Sequence, residues 1–169
     1  MSKAEVGIIM GSTSDLAIME EAARMLERFG IGYDMTISSG HRSPERTIAY
    51  ASSAREKGIK VIIVGAGAAA HLAGTIAALT TLPVIGVPIH SSPLGGLDAL
   101  LSTVQMPSGV PVATMAVGQA GAKNAAILAA EILALSDREL ATKLTAYKEQ
   151  LEKEVARAAE EALESRPSS

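Results

Sequence analysis

The run VIIVGAGAAAHLAGTIAALTTLPVIGVPI, residues Val61–Ile89, contains no charged side chain. Its length would allow a membrane helix. Gly65, Gly67, Gly74, Gly86, Pro83, Pro88 and His71 argue otherwise, because they cut it into short pieces. Lys60–Val64 (KVIIV) and Pro83–Pro88 (PVIGVP) read as strands, apolar on both faces. Gly65-Ala66-Gly67 reads as a tight turn between them, leading into an Ala-rich helix around Leu72–Thr80. Strands without polar alternation belong in a parallel sheet covered on both sides.

The same unit repeats outward. Upstream, Glu5–Met10 is a short β-branched run, followed by Gly11-Ser12-Thr13-Ser14-Asp15. Leu16, Met19, Ala22, Ala23, Leu26 and Phe29 then mark one helix face, and Gly30 is placed to end it. Ile31–Ile37 is the second strand. Ser43 as N-cap and Pro44 in the first turn open a helix through about Lys57. Downstream, the loop His90–Gly96 leads to a short helix around Asp98–Thr103. Val110–Val117 is a fifth strand, and a helix runs from about Ala120 to Leu135. Such alternation predicts an α/β fold: a single three-layer, doubly wound parallel sheet, flavodoxin-like, with strand order 2-1-3-4-5. One domain over 1–169 is expected, with the sandwich core in 5–135.

Residues 136–165 differ in pattern. Ser136-Asp137-Arg138-Glu139 fits a capping box. Leu140, Leu144, Tyr147, Leu151, Val155, Ala158 and Ala162 then recur every three or four residues. At 1.5 Å per residue, a helix of about 25 residues spans about 40 Å, more than a small domain covers easily. Between Val61 and Ser136 the only charged residues are Asp98, Lys123 and Glu131. Solvated surface normally carries charge. A homo-oligomer is therefore expected, with the last helix packed on a neighbouring subunit.

Composition excludes several classes. There is no cysteine, so disulfide frameworks and thiolate metal sites are out. A formal charge of -3, no Trp and one Phe leave no nucleic-acid footprint. Met1-Ser2-Lys3-Ala4-Glu5 lacks the apolar core of a secretory signal, and a cytoplasmic protein is expected, with no membrane association. The three histidines offer no local ligand pair, so no metal is expected.

Ligands of open parallel sheets bind beyond the carboxyl ends of the strands. The loops there are Gly11–Asp15, Ser39-Gly40-His41-Arg42, Gly65-Ala66-Gly67 and His90–Gly96. Gly11–Asp15 carries free N–H groups and hydroxyls suited to a phosphate. An ordinary cap by Ser14 or Thr13, with Asp15 at the positive helix end, explains it equally well. Arg42 can hold a phosphate bidentately, and an ordinary surface arginine is its alternative. His41 can exchange a proton near neutral pH, or simply occupy a turn. Ser39 and Gly40 would let a ligand approach closely. His71, near a helix start, is either a neutral hydrogen-bonding residue or a core histidine. His90 reads as a loop residue. These residues together suggest a phosphorylated, sugar-like small molecule and one histidine for proton transfer, without a cofactor.

Five segments carry a resemblance. They are Met10–Asp15, Ser39–Pro44, Gly65–Leu72, Leu101-Ser102-Thr103-Val104-Gln105-Met106-Pro107 and Gly118–Ala126. In this order and spacing, over roughly 5–140, they resemble the N5-carboxyaminoimidazole ribonucleotide mutases of purine biosynthesis. The resemblance implies a cofactor-free isomerisation that moves a carboxylate from the exocyclic nitrogen to ring carbon C4. It implies an octamer with active sites at subunit contacts. Ser12, Asp15 and Arg42 match nucleotide-binding positions of that family, and His41 matches its catalytic histidine. Ser14, Ser39, Gly40, Gly67 and His71 are expected beside them in the substrate site. The chain departs from the pattern at Gly40, where alanine is usual, at Ala73, where proline often stands, and at His90, where glutamine is common. Related readings are a carboxylase that takes aminoimidazole ribonucleotide and free CO2, and a non-catalytic nucleotide-phosphate binding module.

Overall fold

A computed structural model of the chain describes residues 3–164; Met1, Ser2 and the last residue of the expected 136–165 helix lie outside them. Its elements are β1 (Val6–Met10), a 3-10 turn (Thr13–Asp15), α1 (Leu16–Phe29), β2 (Tyr33–Ile37), α2 (Pro44–Ser53) and β3 (Val61–Gly67). They continue with α3 (Leu72–Leu79), β4 (Val84–Ile89), α4 (Leu97–Val104), β5 (Ala113–Thr114), α5 (Gln119–Ala134) and α6 (Arg138–Glu164). All strand pairs are parallel and the order is β2-β1-β3-β4-β5, as the alternation of strand and helix predicts.

Each face of the sheet has its own core, because successive side chains of a strand point to opposite sides. Val6, Ile8 and Met10 of β1 pack with α1, α5 and the start of α6, through Met19, Leu26, Ala126 and Leu140. Ile9, Ile62 and Val64 pack with α2, α3 and α4, through Tyr50, Leu72, Ile76 and Ala99. Small Ala side chains on α5 let that helix lie close to the sheet: Ala122, Ala125, Ala126, Ala129 and Ala130 are all fully buried. Gly30 ends α1 in the left-handed region, at φ 76°.

Several boundaries differ from expectation. β3 does not turn at Gly65: Gly65, Ala66 and Gly67 stay in the ladder, paired with Val87, Pro88 and Ile89. A Cβ at Gly65 would strike Met19, and one at Gly67 would strike Ser91 Oγ, so the glycines serve close approach within a strand. α2 ends at Ser53, four residues early, and the chain unwinds through turns that close on Gly58 at φ 93°. β5 keeps only Ala113 and Thr114 of the expected Val110–Val117. It is an edge strand, entered through Gly109 at φ 97° and Pro111, which has no N–H to give.

The caps also moved. Ser12, not Thr13 or Ser14, caps the first turn, accepting the Ser14 N–H at 3.3 Å. Asp137, not Ser136, caps α6, accepting the Leu140 N–H at 3.0 Å. At the Ser43 N-cap position the side chain turns back to the preceding loop and makes no bond to the helix N-terminus.

Candidate active site

The segments that follow β1, β2, β3 and β4 at the carboxyl end of the sheet enclose a cleft of about 250 Å³, lined by residues including Ser12, Asp15, His41, Arg42, Gly67 and Ser91. The strand order causes this convergence. β1 lies between β2 and β3, so the loops that follow all three emerge side by side. Ser14, Ser39 and Gly40 line the same cleft.

His71 comes from the loop between β3 and α3, as the residue before the first turn of α3. His41 comes from the loop between β2 and α2. Their rings meet edge to face at 83°, with His41 Nε2 2.9 Å from His71 Nδ1. One of these two nitrogens carries the proton and the other accepts it. His71 is therefore a partner of His41; it is exposed, which sets the core-histidine alternative aside, and it stands beside the cleft without being among the residues that line it. Just before it, Ala68 stands at φ 51°, a left-handed conformation unusual for a residue with a Cβ. The Ala70 N–H and the His71 N–H each close a tight turn there, at 2.8 Å, onto the carbonyls of Ala68 and Ala69.

The charges of the cleft are Arg42 and Asp15. Arg42 donates from Nη2 to the Gly11 carbonyl at 3.3 Å, so its guanidinium lies across the first loop. Its backbone N–H donates to Ser39 Oγ at 3.1 Å. Asp15 is 4% exposed. Burial pushes its carboxyl above the usual carboxylate range. The Ser14 hydroxyl, the backbone N–H groups of Ser12 and Gly11, and the Arg42 charge pull the other way without overcoming burial. A buried acceptor beside a fixed cation suits a ligand that has both an anionic group and hydroxyls to donate.

Ala66, Ala69, Leu72 and Ser91 also line the cleft and were not singled out by sequence. Ser91 had a signal, since it follows a strand in a Gly/Ser-rich loop. The alanines had none, since their part is to be small. His90 is exposed beside that loop and packs against Gly96 and Gly118. It is not among the residues lining the cleft.

Known proteins resemble this chain over most of its length. Residues 5–154 match the family model described as AIR carboxylase. An N5-carboxyaminoimidazole ribonucleotide mutase of Thermotoga maritima is 59% identical over 150 residues, 89% of this chain and 86% of that protein. One of Pyrococcus horikoshii is 60% identical over 150 residues, 89% of this chain and 84% of that protein. The crystal structure of Treponema denticola PurE matches with a TM-score of 0.84 at 31% identity, covering 92% of this chain and 96% of that one.

Proposed function

Because the chain belongs to the AIR carboxylase family, we propose that it is a mutase of purine biosynthesis. It converts N5-carboxyaminoimidazole ribonucleotide to 4-carboxy-5-aminoimidazole ribonucleotide. The observation that carries the chemistry is the His41–His71 contact of 2.9 Å at the cleft that also holds Arg42 and Asp15.

The reaction needs one proton moved twice. His41, as imidazolium, protonates the carbamate nitrogen; the N–C bond breaks and CO2 is released beside aminoimidazole ribonucleotide. Ring carbon C4 then attacks the CO2, forming the new C–C bond. Neutral His41 removes the C4 proton, which restores the aromatic ring and the imidazolium. The net proton balance is zero, so one histidine suffices and no cofactor or metal is required. His71 orients the His41 ring through the bond between them. Arg42 and the Ser12–Ser14 loop hold the phosphate, and Asp15 accepts ribose hydroxyls. Ser39 and Gly40 form the floor of the cleft, and Gly67 lets the backbone reach the ring and keep water from the CO2.

The same proposal includes assembly, as an octamer whose subunits share active sites, and a single domain in each chain. Leu97, Leu101 and Val104 leave an exposed apolar face on α4, which suits a subunit contact. The far part of α6 is exposed from Leu151 to Glu164, which suits packing on a neighbour. We place the enzyme in the cytoplasm; among the described residues no helix is long and apolar enough to cross a membrane.

Parallel assays without ATP test the activity. N5-carboxyaminoimidazole ribonucleotide should be converted directly and without dependence on added CO2. Conversion of aminoimidazole ribonucleotide only, rising steeply with added CO2, would make the protein the carboxylase. Tight nucleotide binding with neither conversion would make it a binding module.

A further inference from the structure

The loop that carries His41 and Arg42 is closed by hydroxyl groups outside the cleft. Ser38 is 1% exposed and Thr47, on the second turn of α2, is 0% exposed. Their hydroxyl oxygens lie 2.8 Å apart. Ser43 Oγ accepts the Ser39 N–H at 2.9 Å and donates to the Ser39 carbonyl at 3.1 Å. Either hydroxyl of the Ser38–Thr47 pair can donate: Ser38 to Thr47 Oγ1 with Thr47 on the Ser43 carbonyl at 3.4 Å, or Thr47 to Ser38 Oγ with Ser38 on Ser43 Oγ at 3.5 Å. The Ser38 N–H donates to the Met10 carbonyl at 2.9 Å, tying this arrangement to the end of β1. Ser38, Ser43 and Thr47 are not among the residues lining the cleft.

We infer that Thr47 and Ser38 form a buried clasp that positions His41 for proton transfer. Two apolar side chains could fill the same space in many relative placements. Two buried hydroxyls cannot, because each must find a partner or lose its hydration uncompensated. The pair therefore sets the spacing between the end of β2 and the start of α2. His41 lies between the two anchors, beside Gly40, and its ring stands where His71 Nδ1 meets it. Thr47 touches no reacting atom; it acts through the loop. This rests on the reading of His41 as the proton carrier.

Thr47→Val keeps the side-chain shape and removes the hydroxyl. The expected result is a kcat lower by about tenfold to a hundredfold, the scale of a misplacement near 1 Å in a reacting group. The imidazole 15N resonances of His41 and His71, recorded without substrate, should move toward those of unpaired rings. Thr47→Ser should restore both readouts. Ser38→Ala combined with Thr47→Val separates positioning from folding. It strands no buried hydroxyl, so Tm should return toward that of the unmodified protein while kcat stays low. Unchanged kcat and resonances in Thr47→Val would overturn the clasp. So would recovery of kcat along with Tm in the double variant, since the pair would then serve stability alone. If the unmodified protein converts no ribonucleotide, the functional reading fails, and the resonances still decide the clasp.

Discussion

His41 and His71 stand thirty residues apart in the chain, yet their ring nitrogens are 2.9 Å apart. His41→Asn keeps a hydrogen-bonding side chain but cannot cycle a proton. Turnover should fall by about 10²- to 10⁴-fold while calorimetry still shows nucleotide binding. Asp15 makes a different prediction. Its folded carboxyl holds a proton to higher pH than the unfolded one, because burial penalises the charge. Stability therefore falls as pH rises from the unfolded pKa through the folded one, and the loss is complete above the latter. Asp15→Asn should raise Tm at pH 7 and flatten that part of the stability profile, at the cost of substrate affinity. Gly40 has no left-handed φ, and a Cβ there would meet Leu72 Cδ1 at 3.6 Å, an ordinary contact. Gly40→Ala should keep activity and stabilise by about 0.4–1 kcal/mol, read by denaturant unfolding, because the unfolded loop loses freedom.

At the scale of elements, the errors of the sequence reading share a cause. Local patterns mark which residues are apolar, but neighbours decide where an element stops. β3 runs through Gly67 because β4 offers it three more partners. β5 is held to the two residues, Ala113 and Thr114, that find partners on β4. α6 starts at Arg138 and not earlier, because this phase turns Leu140 and Leu144 into the core, 5% and 6% exposed. Asp137 is the residue this phase leaves at the cap, where its carboxylate also meets the positive end of the helix dipole. Asp137→Ala should therefore cost about 1 kcal/mol, seen as a lower denaturant midpoint with an unchanged slope.

At the scale of the whole molecule, the uncharged middle of the chain is accounted for in part by the sheet. Val61–Val64 and Val84–Ile89 are buried within one chain. The rest is not: Leu97 is 57% exposed and Leu101 49% exposed on the same face of α4. Exposed apolar side chains in a row call for a partner surface. Native mass measurement should find a multiple of the single chain. Leu97→Glu with Leu101→Glu should shift that mass to smaller species and lower turnover in step. Loss of assembly with full activity retained would show that each chain holds a complete site.

Strand order, the two-sided burial of the sheet and the loops that could bear chemistry were all legible in residue order. Periodicity, glycine placement and the absence of charge are local properties, and right-handed crossovers leave few topologies. His41, Arg42 and Asp15 could be named for the same reason, as reactive residues beyond strand ends, and Gly67 as a small residue at the last position of a strand. Only the tertiary structure brought His71 against His41, buried Asp15 deeply enough to raise its carboxyl, drew Ser91 into the cleft and joined Ser38 to Thr47. Those features depend on how the ends of neighbouring strands stand beside each other in space. That spacing is set by the packing of both sheet faces at once, which no single stretch of sequence encodes.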